Sequence, residues 1–467
     1  MNAAEYVAGL VERAKKAQAI AEGFTQEQVD ELCAAIAYNG TRKDFATDVS
    51  KMLVEESGMG LVDHKIGKMM VKIKGTLRDM KGKKSVGVVE RNEALGLVKL
   101  AKPVGVIGAL IPVTNGEATP FVKAISALKG RNAIILAPHP KAKNTNKAAT
   151  DNIRATLKKY GAPEDLVISI DPEHVSVEGS GELMKQVDMV LATGGTPMVK
   201  AAYSSGTPTI GVGTGNASMI VDGSTDLDEA ANMVMRSKTF DYATSCSTEN
   251  NLVINEEAYD AFVKALEKQG GYLIKNGSAE KDKLREGVWP DGHTLNRHIV
   301  AQPVEKIAEV AGIKLPAGTK FIMVEEDGIG PNNLFSGEKL SVITTLHKYS
   351  DFQDGLDKLE SIINYMGQGH SCGIHTKYDY RVLELAERMK VARVMVNQPQ
   401  CLANSGAWTN GMPMSMTLGC GTWGNNSISK NVTWEDLLNY TWVSYAIPSS
   451  EPTDEELFPK SVVEFNK

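Results

Sequence analysis

The feature that most constrains the fold is an alternation of short apolar runs and helical patterns between about residues 100 and 220. The apolar runs are "VGVIGALIP", "NAIILAPHP", "DLVISID" and "DMVLATGG", and amphipathic segments such as "NKAATDNIRATLKKYG" separate them. This strand–helix alternation is typical of a doubly wound parallel sheet with helices on both faces. Residues from about 250 to 400 repeat the alternation with other motifs, which predicts a second α/β domain.

The flanking segments follow other patterns. In residues 1–80, apolar residues recur at spacings of three and four, which predicts helices, and Thr25 is a candidate N-cap for one of them. Residues 84–100 change to period two, and "WVSYAI" (442–447) has the same strand character. Exposed strands of this kind usually pair with another element.

Composition and charge exclude several classes of protein. The 467 residues carry a net charge of −6 and no basic tail, which gives no support to a nucleic-acid partner. The longest apolar runs are far below the ~18–20 residues of a membrane span, and the N-terminus shows no secretory signal. The cysteines are odd in number, five, and form no CxxC pair, which indicates free thiols in a reducing compartment. We therefore expect a cytoplasmic protein without a membrane partner.

Cys246 is the first candidate for chemistry. It lies in "KTFDYATSCSTENNLVI" (238–254), where small hydroxyl neighbours leave space and can donate hydrogen bonds to a thiolate. A free cysteine is more commonly a buried apolar residue, so the local sequence alone favours that interpretation and leaves catalysis as the alternative. Cys420 in "TLGCGTWGNNSIS" is the rival nucleophile, and His370 in "GQGHSCGIH" is a candidate base. A metal site at Cys372, His370 and His375 lacks further local ligands, so we predict none.

Three loops that follow predicted strands could bind a phosphate or a developing negative charge. "ATGGTPMVKAAYSSG" (192–206) lets the backbone approach a ligand and offers the positive end of the next helix, although an ordinary turn has the same pattern. Lys141 and Lys143 in "PHPKAKNT" suit a ribose phosphate or a solvated basic loop. Asn115 in "IPVTN" could direct its amide at an oxyanion or simply form a turn.

Taken in order, the motifs from about residue 5 to 450 resemble the CoA-acylating branch of the aldehyde dehydrogenase superfamily. The resemblance rests on "KPVGVIGALIPVTN", "LKGRNAIILAPHPKAKN", "YGAPEDL", "LATGGTPMVKAAYSSGTPTIGVGTGN", "TFDYATSCSTENN", "FSGEKLS", "GHSCGIHT", "RVMVNQP" and "LGCGTWGNNSIS". It implies an α/β fold with two doubly wound domains and a small strand-based oligomerisation element, through which we expect at least a homodimer, or a homotetramer. The expected parts are residues 1–235 (N-terminal helices and a dinucleotide-binding domain, with oligomerisation strands near 84–100), 236–430 (the catalytic domain with the nucleophilic cysteine) and 431–467 (a C-terminal strand and tail).

The resemblance also implies roles for individual residues. Cys246 is expected to be the nucleophile, Asn115 and the backbone N–H of Cys246 the oxyanion donors, and His370 a proton-transfer group, while Cys420 becomes a packing residue. Residues expected to bind the cofactor are Pro112, His139, Pro140, Lys141, Thr193, Gly194, Gly195, Gly213, Glu338 and Leu418. Residues expected to line the aldehyde pocket are Thr244, Ser245, Ser247, Asn404 and Ser405.

The implied chemistry begins with attack of the thiolate on an aldehyde carbon and ends in a thioester on Cys246 after hydride leaves. Hydrolytic relatives carry a glutamate base for water in an "ELGGK"-like segment, but the matching segment here, "GVGTGN", has no carboxylate. Transfer of the acyl group to coenzyme A is therefore expected over release of an acid. A hydrolytic aldehyde dehydrogenase, a cysteine acyltransferase without redox chemistry and an inert scaffold are the alternatives.

The identities of the cofactor and the aldehyde are less constrained. "APHPKAK" lacks the ribose-binding glutamate of relatives that prefer NAD, and it adds Lys141 and Lys143, so NADP is expected to be accepted besides NAD. The same basic loop could bind the 3′-phosphate of coenzyme A. The polar segments 403–412 and 242–245 favour a short aldehyde with a polar or anionic end. Sulfoacetaldehyde and succinate semialdehyde both fit, and acetaldehyde or propionaldehyde is the alternative.

Overall fold

The computed structural model describes residues 2–466 and contains three sheets with helices packed around them. Four helices come first: α1 (Ala3–Ala21), α2 (Gln26–Gly40), α3 (Lys43–Ser57) and α4 (Val62–Met80). Thr25 caps α2 as expected, in a capping box with Gln28. Among the described residues, no helix combines the length and the apolar character that crossing a membrane requires.

A five-stranded parallel sheet follows, in the strand order β5-β4-β3-β6-β7. Its strands β3 and β4 are buried along their whole length, as expected for a sheet covered on both faces. The elements in chain order are β3 (Val106–Ile111), α5 (Thr119–Lys129), β4 (Ala133–Pro138), α6 (Lys143–Lys159), β5 (Val167–Ser169), α7 (Val177–Gln186), β6 (Met189–Ala192), α8 (Thr196–Tyr203) and β7 (Thr209–Gly211).

A seven-stranded sheet, again parallel throughout, has the order β10-β11-β12-β9-β8-β13-β14. Its first half comprises β8 (Ser218–Val221), α9 (Leu227–Thr239), β9 (Asn251–Asn255), α10 (Glu256–Lys268), β10 (Gly271–Ile274), α11 (Ala279–Val288), α12 (Val304–Ala311) and β11 (Phe321–Glu325). Its second half comprises β12 (Ile343–Tyr349), α13 (Phe352–Tyr365), β13 (Cys372–His375), α14 (Asp379–Arg388), β14 (Val394–Val396) and α15 (Gln400–Ala403).

The remaining sheet is antiparallel, with the order β1-β2-β15, and joins two parts of the chain that are distant in sequence. Its strands are β1 (Gly87–Asn92), β2 (Leu97–Pro103) and β15 (Leu438–Ser444), and two short helices, α16 (Asp454–Leu457) and α17 (Lys460–Phe465), follow them. The predicted fold class of two doubly wound α/β units with a small strand element is confirmed. The boundary at residue 235 stays a prediction; the seven-stranded sheet itself begins earlier, with β8.

Chain connectivity places the candidate site between the two large sheets. Asn115, His139 and Thr193 follow β3, β4 and β6, so they lie at the carboxyl edge of the five-stranded sheet. Cys246 and His370 precede β9 and β13, so they lie at the amino edge of the seven-stranded sheet. Ligands of parallel α/β sheets bind outside the carboxyl ends of the strands, which is where the first group lies.

Candidate active site

The loop that carries Cys246 has an unusual backbone. Asp241, Tyr242 and Ala243 have φ angles of 50°, 49° and 60°, three consecutive non-glycine residues in the left-handed region. Such residues are sterically costly and persist where the surrounding structure holds them. The buried Asp241 carboxylate supplies the restraint: it accepts hydrogen bonds from the Leu61 backbone N–H at 2.7 Å and from the Thr244 hydroxyl at 2.9 Å.

Cys246 and His370 form a pair. The His370 Nε2 lies 3.1 Å from the Cys246 Sγ, and the His370 Nδ1 lies 2.9 Å from the Ser371 hydroxyl. When Cys246 is a thiol that donates to Nε2, the proton of the neutral ring is on Nδ1 and is donated to the Ser371 hydroxyl, which holds the ring in this orientation. An imidazole in this geometry can accept the thiol proton.

The buried environment keeps the resting pair neutral. Burial and the nearby Arg393 guanidinium lower the pKa of His370 to about 3. Burial, with the neighbouring Glu338 and Cys420, raises the pKa of Cys246 to about 12. At neutral pH the pair is therefore a thiol beside a neutral imidazole, rather than a thiolate–imidazolium ion pair.

Arg393 positions the histidine through the backbone. Its guanidinium is 3% exposed and donates to the carbonyl oxygens of His370 at 2.8 Å and Gly419 at 3.0 Å. It thereby joins the segment before β13 to the loop that contains Cys420. Arg393 was not among the predicted site residues. The one signal of a buried role in the sequence was an arginine at the start of the apolar run "RVMVNQP".

Glu338 and Gly215 pack directly against the nucleophile. A Cβ atom added at Gly215 would overlap the Cys246 carbonyl oxygen and would lie 2.6 Å from the Cys246 Cβ and from the Glu338 Oε1. That oxygen of Glu338 is buried without a hydrogen-bond partner among the described residues, and burial raises the pKa of Glu338 to about 7. A hydroxyl group of a ligand would satisfy it.

Asn115 ends the 3₁₀ turn Val113–Asn115 that follows β3. Its Oδ1 accepts a hydrogen bond from the Lys68 Nζ at 2.6 Å, and its Nδ2 donates to the Thr114 hydroxyl at 3.3 Å. Lys68 also donates to the Asp241 Oδ2 at 2.8 Å. The structure therefore joins Asn115 to the Cys246 loop through Lys68 and Asp241.

Three lysines on one face of α4 reach into the site. Lys65, Lys68 and Lys72 are spaced three and four residues apart and are at most 8% exposed. Lys65 donates to the Asp241 Oδ2 at 3.0 Å, whereas Lys72 donates to the carbonyl oxygens of Ser405 at 3.1 Å and Gly406. Sequence reasoning missed these lysines, although their helical spacing among apolar residues was a usable signal.

Lys72 differs from the other two because its hydrogen bonds, among the described residues, reach carbonyl oxygens and the Met414 sulfur rather than a carboxylate. Burial lowers its pKa to about 8, so the ammonium is still mostly protonated at pH 7. A buried cation without a carboxylate partner is costly, and an anionic group of a ligand would neutralise it.

The predicted pyrophosphate-binding residues lie at the end of β6. Thr193 accepts a hydrogen bond from the buried Lys123 Nζ at 3.0 Å, and the same ammonium donates to the carbonyl oxygens of Leu110 and Leu191. Gly194 follows, where a Cβ would make only an ordinary van der Waals contact with Met198 at 3.7 Å, and Gly195 is the N-cap of α8. Lys123 thus ties the ends of β3 and β6 together beneath the expected cofactor position.

A cleft of about 660 Å³ opens beside these strands. Its walls come from the end of α8, the glycine-rich segment after β7, the loop after α13 and the Trp423 loop. Gly213 lines this cleft, and a Cβ placed there would lie 3.2 Å from the Cys420 Sγ. Cys420 is buried, so it packs under the loop that Gly213 forms.

The other predicted cofactor residues form two groups. His139, Pro140 and Lys141 are exposed after β4, where the His139 Nδ1 accepts a hydrogen bond from the Lys141 backbone N–H at 3.1 Å. Pro112 begins the turn that carries Asn115, and Leu418 is 7% exposed in the loop before Cys420. The Lys143 Nζ donates to the Pro172 carbonyl at 3.1 Å, so part of its charge is already engaged.

The predicted pocket residues divide between the Cys246 loop and the segment after α15. Ser245 accepts a hydrogen bond from the Ser247 backbone N–H at 3.2 Å, which makes a tight turn around Cys246, and Thr244 is bound to Asp241. Asn404 is fully buried, and its amide donates to the Gln400 carbonyl at 3.1 Å. Ser405 contributes its carbonyl oxygen to Lys72.

The rival metal site is not assembled. Within residues 2–466, no group of three or more His, Cys, Asp or Glu side chains could hold a metal ion. Cys372 and His375 both belong to β13 and are buried. Burial raises the pKa of the Cys372 thiol and lowers that of His375 to about 4, which suits two core residues.

Comparison with known proteins agrees with this geometry. The model of the aldehyde dehydrogenase family matches residues 2–289. The chain is 46% identical over 452 residues to a sulfoacetaldehyde dehydrogenase of Acholeplasma sp, covering 96% of this chain and 92% of that protein. It is 45% identical to an acylating sulfoacetaldehyde dehydrogenase of Bilophila wadsworthia, covering 96% and 97%.

Among solved structures, the chain is similar to an acetylating aldehyde dehydrogenase of Geobacillus thermoglucosidasius, with a TM-score of 0.92 and 33% identity. The alignment covers 97% of this chain and 98% of that one. The family model and the sequence identity over nearly the full length of these relatives both agree with the fold described above, in which Cys246 lies between two parallel sheets. The chain belongs to the aldehyde dehydrogenase family.

Proposed function

We propose that the chain is a CoA-acylating aldehyde dehydrogenase that interconverts an aldehyde, coenzyme A and NAD(P)⁺ with an acyl-CoA, NAD(P)H and a proton. The observation that carries the proposal is the Cys246–His370 pair, with 3.1 Å between Sγ and Nε2. A cysteine with an adjacent base, itself oriented by a third group, Ser371, has the geometry of covalent catalysis.

The chain's own residues would perform the acylation as follows. His370 Nε2 accepts the Cys246 proton as the sulfur bonds to the aldehyde carbon, and the Asn115 amide donates to the oxygen that becomes negative. Preorganised donors of this kind typically contribute ~10²–10³ in rate. After hydride has left the former aldehyde carbon for the nicotinamide and His370 has released its proton to solvent, Cys246 holds a thioester. The neutral His370 then accepts the proton of the incoming CoA thiol as that thiol displaces Cys246, and it returns this proton to the Cys246 sulfur.

The residues present fit a nicotinamide cofactor, which when bound supplies the hydride acceptor. The unpartnered, buried Oε1 of Glu338 is available to accept a hydrogen bond from a ribose hydroxyl. The predicted pyrophosphate segment, Thr193 to Gly195, is held by Lys123 at the start of α8. The basic residues Lys141 and Lys143 support acceptance of NADP as well as NAD, and Arg297 adds positive charge near His139.

The glycine-rich segment after β7 supports transfer to coenzyme A over hydrolysis. A Cβ at Gly211 would lie 2.8 Å from the Tyr203 ring, and one at Gly215 would overlap the Cys246 loop. These positions have no room for a longer side chain that could activate water. Glu338, the carboxylate that packs against Gly215 beside Cys246, is the group expected to bind ribose.

The buried lysines of α4 support a substrate with an anionic end. Lys72 has no carboxylate partner in the described part of the chain and is bound to the carbonyls of Ser405 and Gly406, next to the predicted pocket residue Asn404. The sequence segments predicted to line the pocket contain no arginine that could bind an anion. We propose that Lys72, from the distant helix α4, binds it instead. With two relatives named for sulfoacetaldehyde, we propose this aldehyde first and succinate semialdehyde second.

Oligomerisation through the antiparallel sheet belongs to the same proposal. Tyr440, Trp442, Tyr445 and Ile447 on and after β15 are 36–59% exposed, an unusual density of large apolar side chains on an edge strand. We propose at least a homodimer, tested by light scattering at micromolar concentration, where a monomeric mass refutes it. The five free cysteines support a reducing, cytoplasmic location.

The test of the function is an aldehyde panel run with each nicotinamide cofactor, with and without coenzyme A. Reduced cofactor should form with sulfoacetaldehyde only when coenzyme A is present, and acyl-CoA should accumulate in equal amount. Equal rates without coenzyme A, with a free acid as product, would establish the hydrolytic alternative. Acyl-CoA formation without any nicotinamide requirement would establish the acyltransferase alternative.

A further inference from the structure

Lys68 contacts the candidate oxyanion donor, Asn115, at the oxygen of its side-chain amide. Its ammonium donates to the Asn115 Oδ1 at 2.6 Å. An ammonium group can only donate, so it selects the oxygen end of the Asn115 amide and turns the NH₂ end away from itself. One N–H of that group lies near the Thr114 hydroxyl at 3.3 Å, and an amide nitrogen carries a second N–H for another acceptor.

The charge on Lys68 is secured by two carboxylates. Although burial opposes the charge, the attraction of Asp241 and Glu117 raises the pKa of Lys68. The Asp241 Oδ2 lies 2.8 Å from the Lys68 Nζ, and the Glu117 Oε1 lies 3.7 Å from it. The bond to Asn115 is therefore charge-assisted, and such bonds are shorter and stronger than neutral ones.

Asp241 connects this contact to the nucleophile. The same Oδ2 that binds Lys68 accepts the Thr244 hydroxyl at 2.9 Å, two residues before Cys246. The Asp241 backbone N–H donates to the His64 Nδ1 at 2.8 Å, so α4 holds both ends of Asp241 in its left-handed conformation. The oxyanion donor and the loop of Cys246 are thus fixed to one shared carboxylate.

We propose that Lys68 is a positioning residue that holds the Asn115 amide with its N–H toward the carbonyl oxygen at Cys246, while Asp241 keeps that amide aligned with the Cys246 loop. This inference rests on the proposed function, because it assigns the part that Lys68 plays in acylation of Cys246. Lys68 itself does not touch the reacting atoms; it acts through Asn115.

Lys65 provides a matched comparison. It lies on the same face of α4 and donates to the same Asp241 Oδ2, at 3.0 Å, and to the Thr114 carbonyl at 3.1 Å. Among residues 2–466, Lys65 makes no hydrogen bond to Asn115. Removing Lys65 therefore weakens the contacts to Asp241 but leaves the Asn115 amide held. Removing Lys68 weakens the contacts to Asp241 and also releases the Asn115 amide.

The test is a double-mutant cycle of Lys68→Met and Asn115→Ala, with Lys65→Met as the comparison. Lys68→Met should lower kcat about 10²-fold, as expected for loss of one oxyanion donor, and leave the KM for the nicotinamide within about threefold. In the Asn115→Ala background, Lys68→Met should lower kcat further by less than about threefold, because the amide that Lys68 positions is already gone. Lys65→Met should cost much less kcat than Lys68→Met.

A second readout does not depend on coenzyme A or nicotinamide. With p-nitrophenyl acetate, the Cys246 sulfur bonds to the acetyl carbon, the C–O bond breaks, p-nitrophenolate leaves, and the thiol proton passes to His370. The burst rate of p-nitrophenolate release should fall strongly in Lys68→Met and little further when Lys68→Met is added to Asn115→Ala, as predicted for kcat. A wild type that gives this burst but forms no acyl-CoA would refute the proposed function, and the ester cycle would still decide the inference.

Two results would overturn the inference: effects of Lys68→Met and Asn115→Ala that multiply in the double variant, or equal losses for Lys68→Met and Lys65→Met. Thermal melts identify variants that fail to fold. If Lys68→Met is among them, Lys68→Arg takes its place in the cycle, since it keeps the charge near Asp241 but changes the geometry at Asn115.

Discussion

The Nε2 of His370 lies 3.1 Å from the Sγ of Cys246, and burial makes both groups neutral at rest. Many reactive cysteines are instead thiolates stabilised by a nearby positive charge. Here Arg393, the neighbouring cation, donates to backbone carbonyls of His370 and Gly419. In the proposed mechanism, the Cys246 thiolate therefore forms when the substrate arrives, and the resting enzyme holds no thiolate–imidazolium ion pair.

This neutral pair predicts the pH dependence of alkylation in the free enzyme. Because the pKa of Cys246 is raised to about 12, the thiolate fraction should increase about tenfold per pH unit from pH 6.5 to 9.5. The rate of iodoacetamide labelling at Cys246, followed by peptide mass spectrometry, should rise over this whole range. A short model peptide with one cysteine, whose thiol has an ordinary pKa near 8.5, should level off above that pH and serves as the control. A plateau below pH 8 would indicate a thiolate–imidazolium pair instead.

Replacing the nucleophile should abolish acyl transfer. Cys246→Ser should form no detectable acyl-CoA, and wild type mixed with acyl-CoA should carry an acyl adduct on residue 246 in intact and peptide mass spectra. Cys420→Ser is the control, because Cys420 is buried under the Gly213 loop, and it should retain most of the activity. An active Cys246→Ser enzyme would refute the covalent route.

Replacing the base should slow the reaction without preventing binding. His370→Ala removes the group that accepts the thiol proton, and general-base catalysis typically contributes 10²–10⁴ in rate. We expect kcat to fall by about that amount while cofactor binding, measured by fluorescence titration, stays within about threefold. Ser371→Ala, which removes only the partner of Nδ1, should cause a smaller loss. Unchanged kcat in His370→Ala would remove His370 from the mechanism.

The close approach at Gly215 predicts an intolerant position. In Gly215→Ala the new Cβ would overlap the Cys246 carbonyl oxygen and lie 2.6 Å from the Glu338 Oε1, so the nucleophile loop must move. We expect kcat to fall at least tenfold. Gly181→Ala is the matched control, because Gly181 lies within α7 and its added Cβ would contact nothing. Since alanine is favoured over glycine within a helix, this variant should gain about 0.5–1 kcal/mol of stability. A fully active Gly215→Ala enzyme would contradict the packing.

The buried charge of Lys72 predicts substrate selectivity. Lys72→Met removes the ammonium that the anionic end of an aldehyde would meet, and hydrogen bonds to charged groups are worth about 1.5–3 kcal/mol. We expect kcat/KM for sulfoacetaldehyde to fall about 10–100-fold and that for propionaldehyde to change much less. Lys74→Met, exposed on the same helix, is the control and should change neither. Equal losses for both aldehydes would mean that Lys72 is only structural.

Local sequence patterns were sufficient to predict the helices and strands of the first half of the chain. The capping residues Thr25 and Gln28 begin α2, and the apolar runs after residue 100 became β3 to β7 with helices between them. The region expected as a C-terminal strand and tail also forms the short helices α16 and α17, because helices of 4 and 6 residues leave little periodic signal in the sequence.

The sequence by itself determined the order of strands and helices, the fold class and the motif residues Cys246, Asn115 and His370, because apolar periodicity and small glycine-rich motifs are local properties of the chain. Only the tertiary structure decided which charges meet. Lys68 and Lys72 precede Cys246 by more than 170 positions, and they reach Asn115, Asp241 and Ser405 only because α4 packs between the two large sheets. Burial then set the pKa values of Cys246 and His370, since desolvation depends on everything packed around a group and not on its neighbours in sequence.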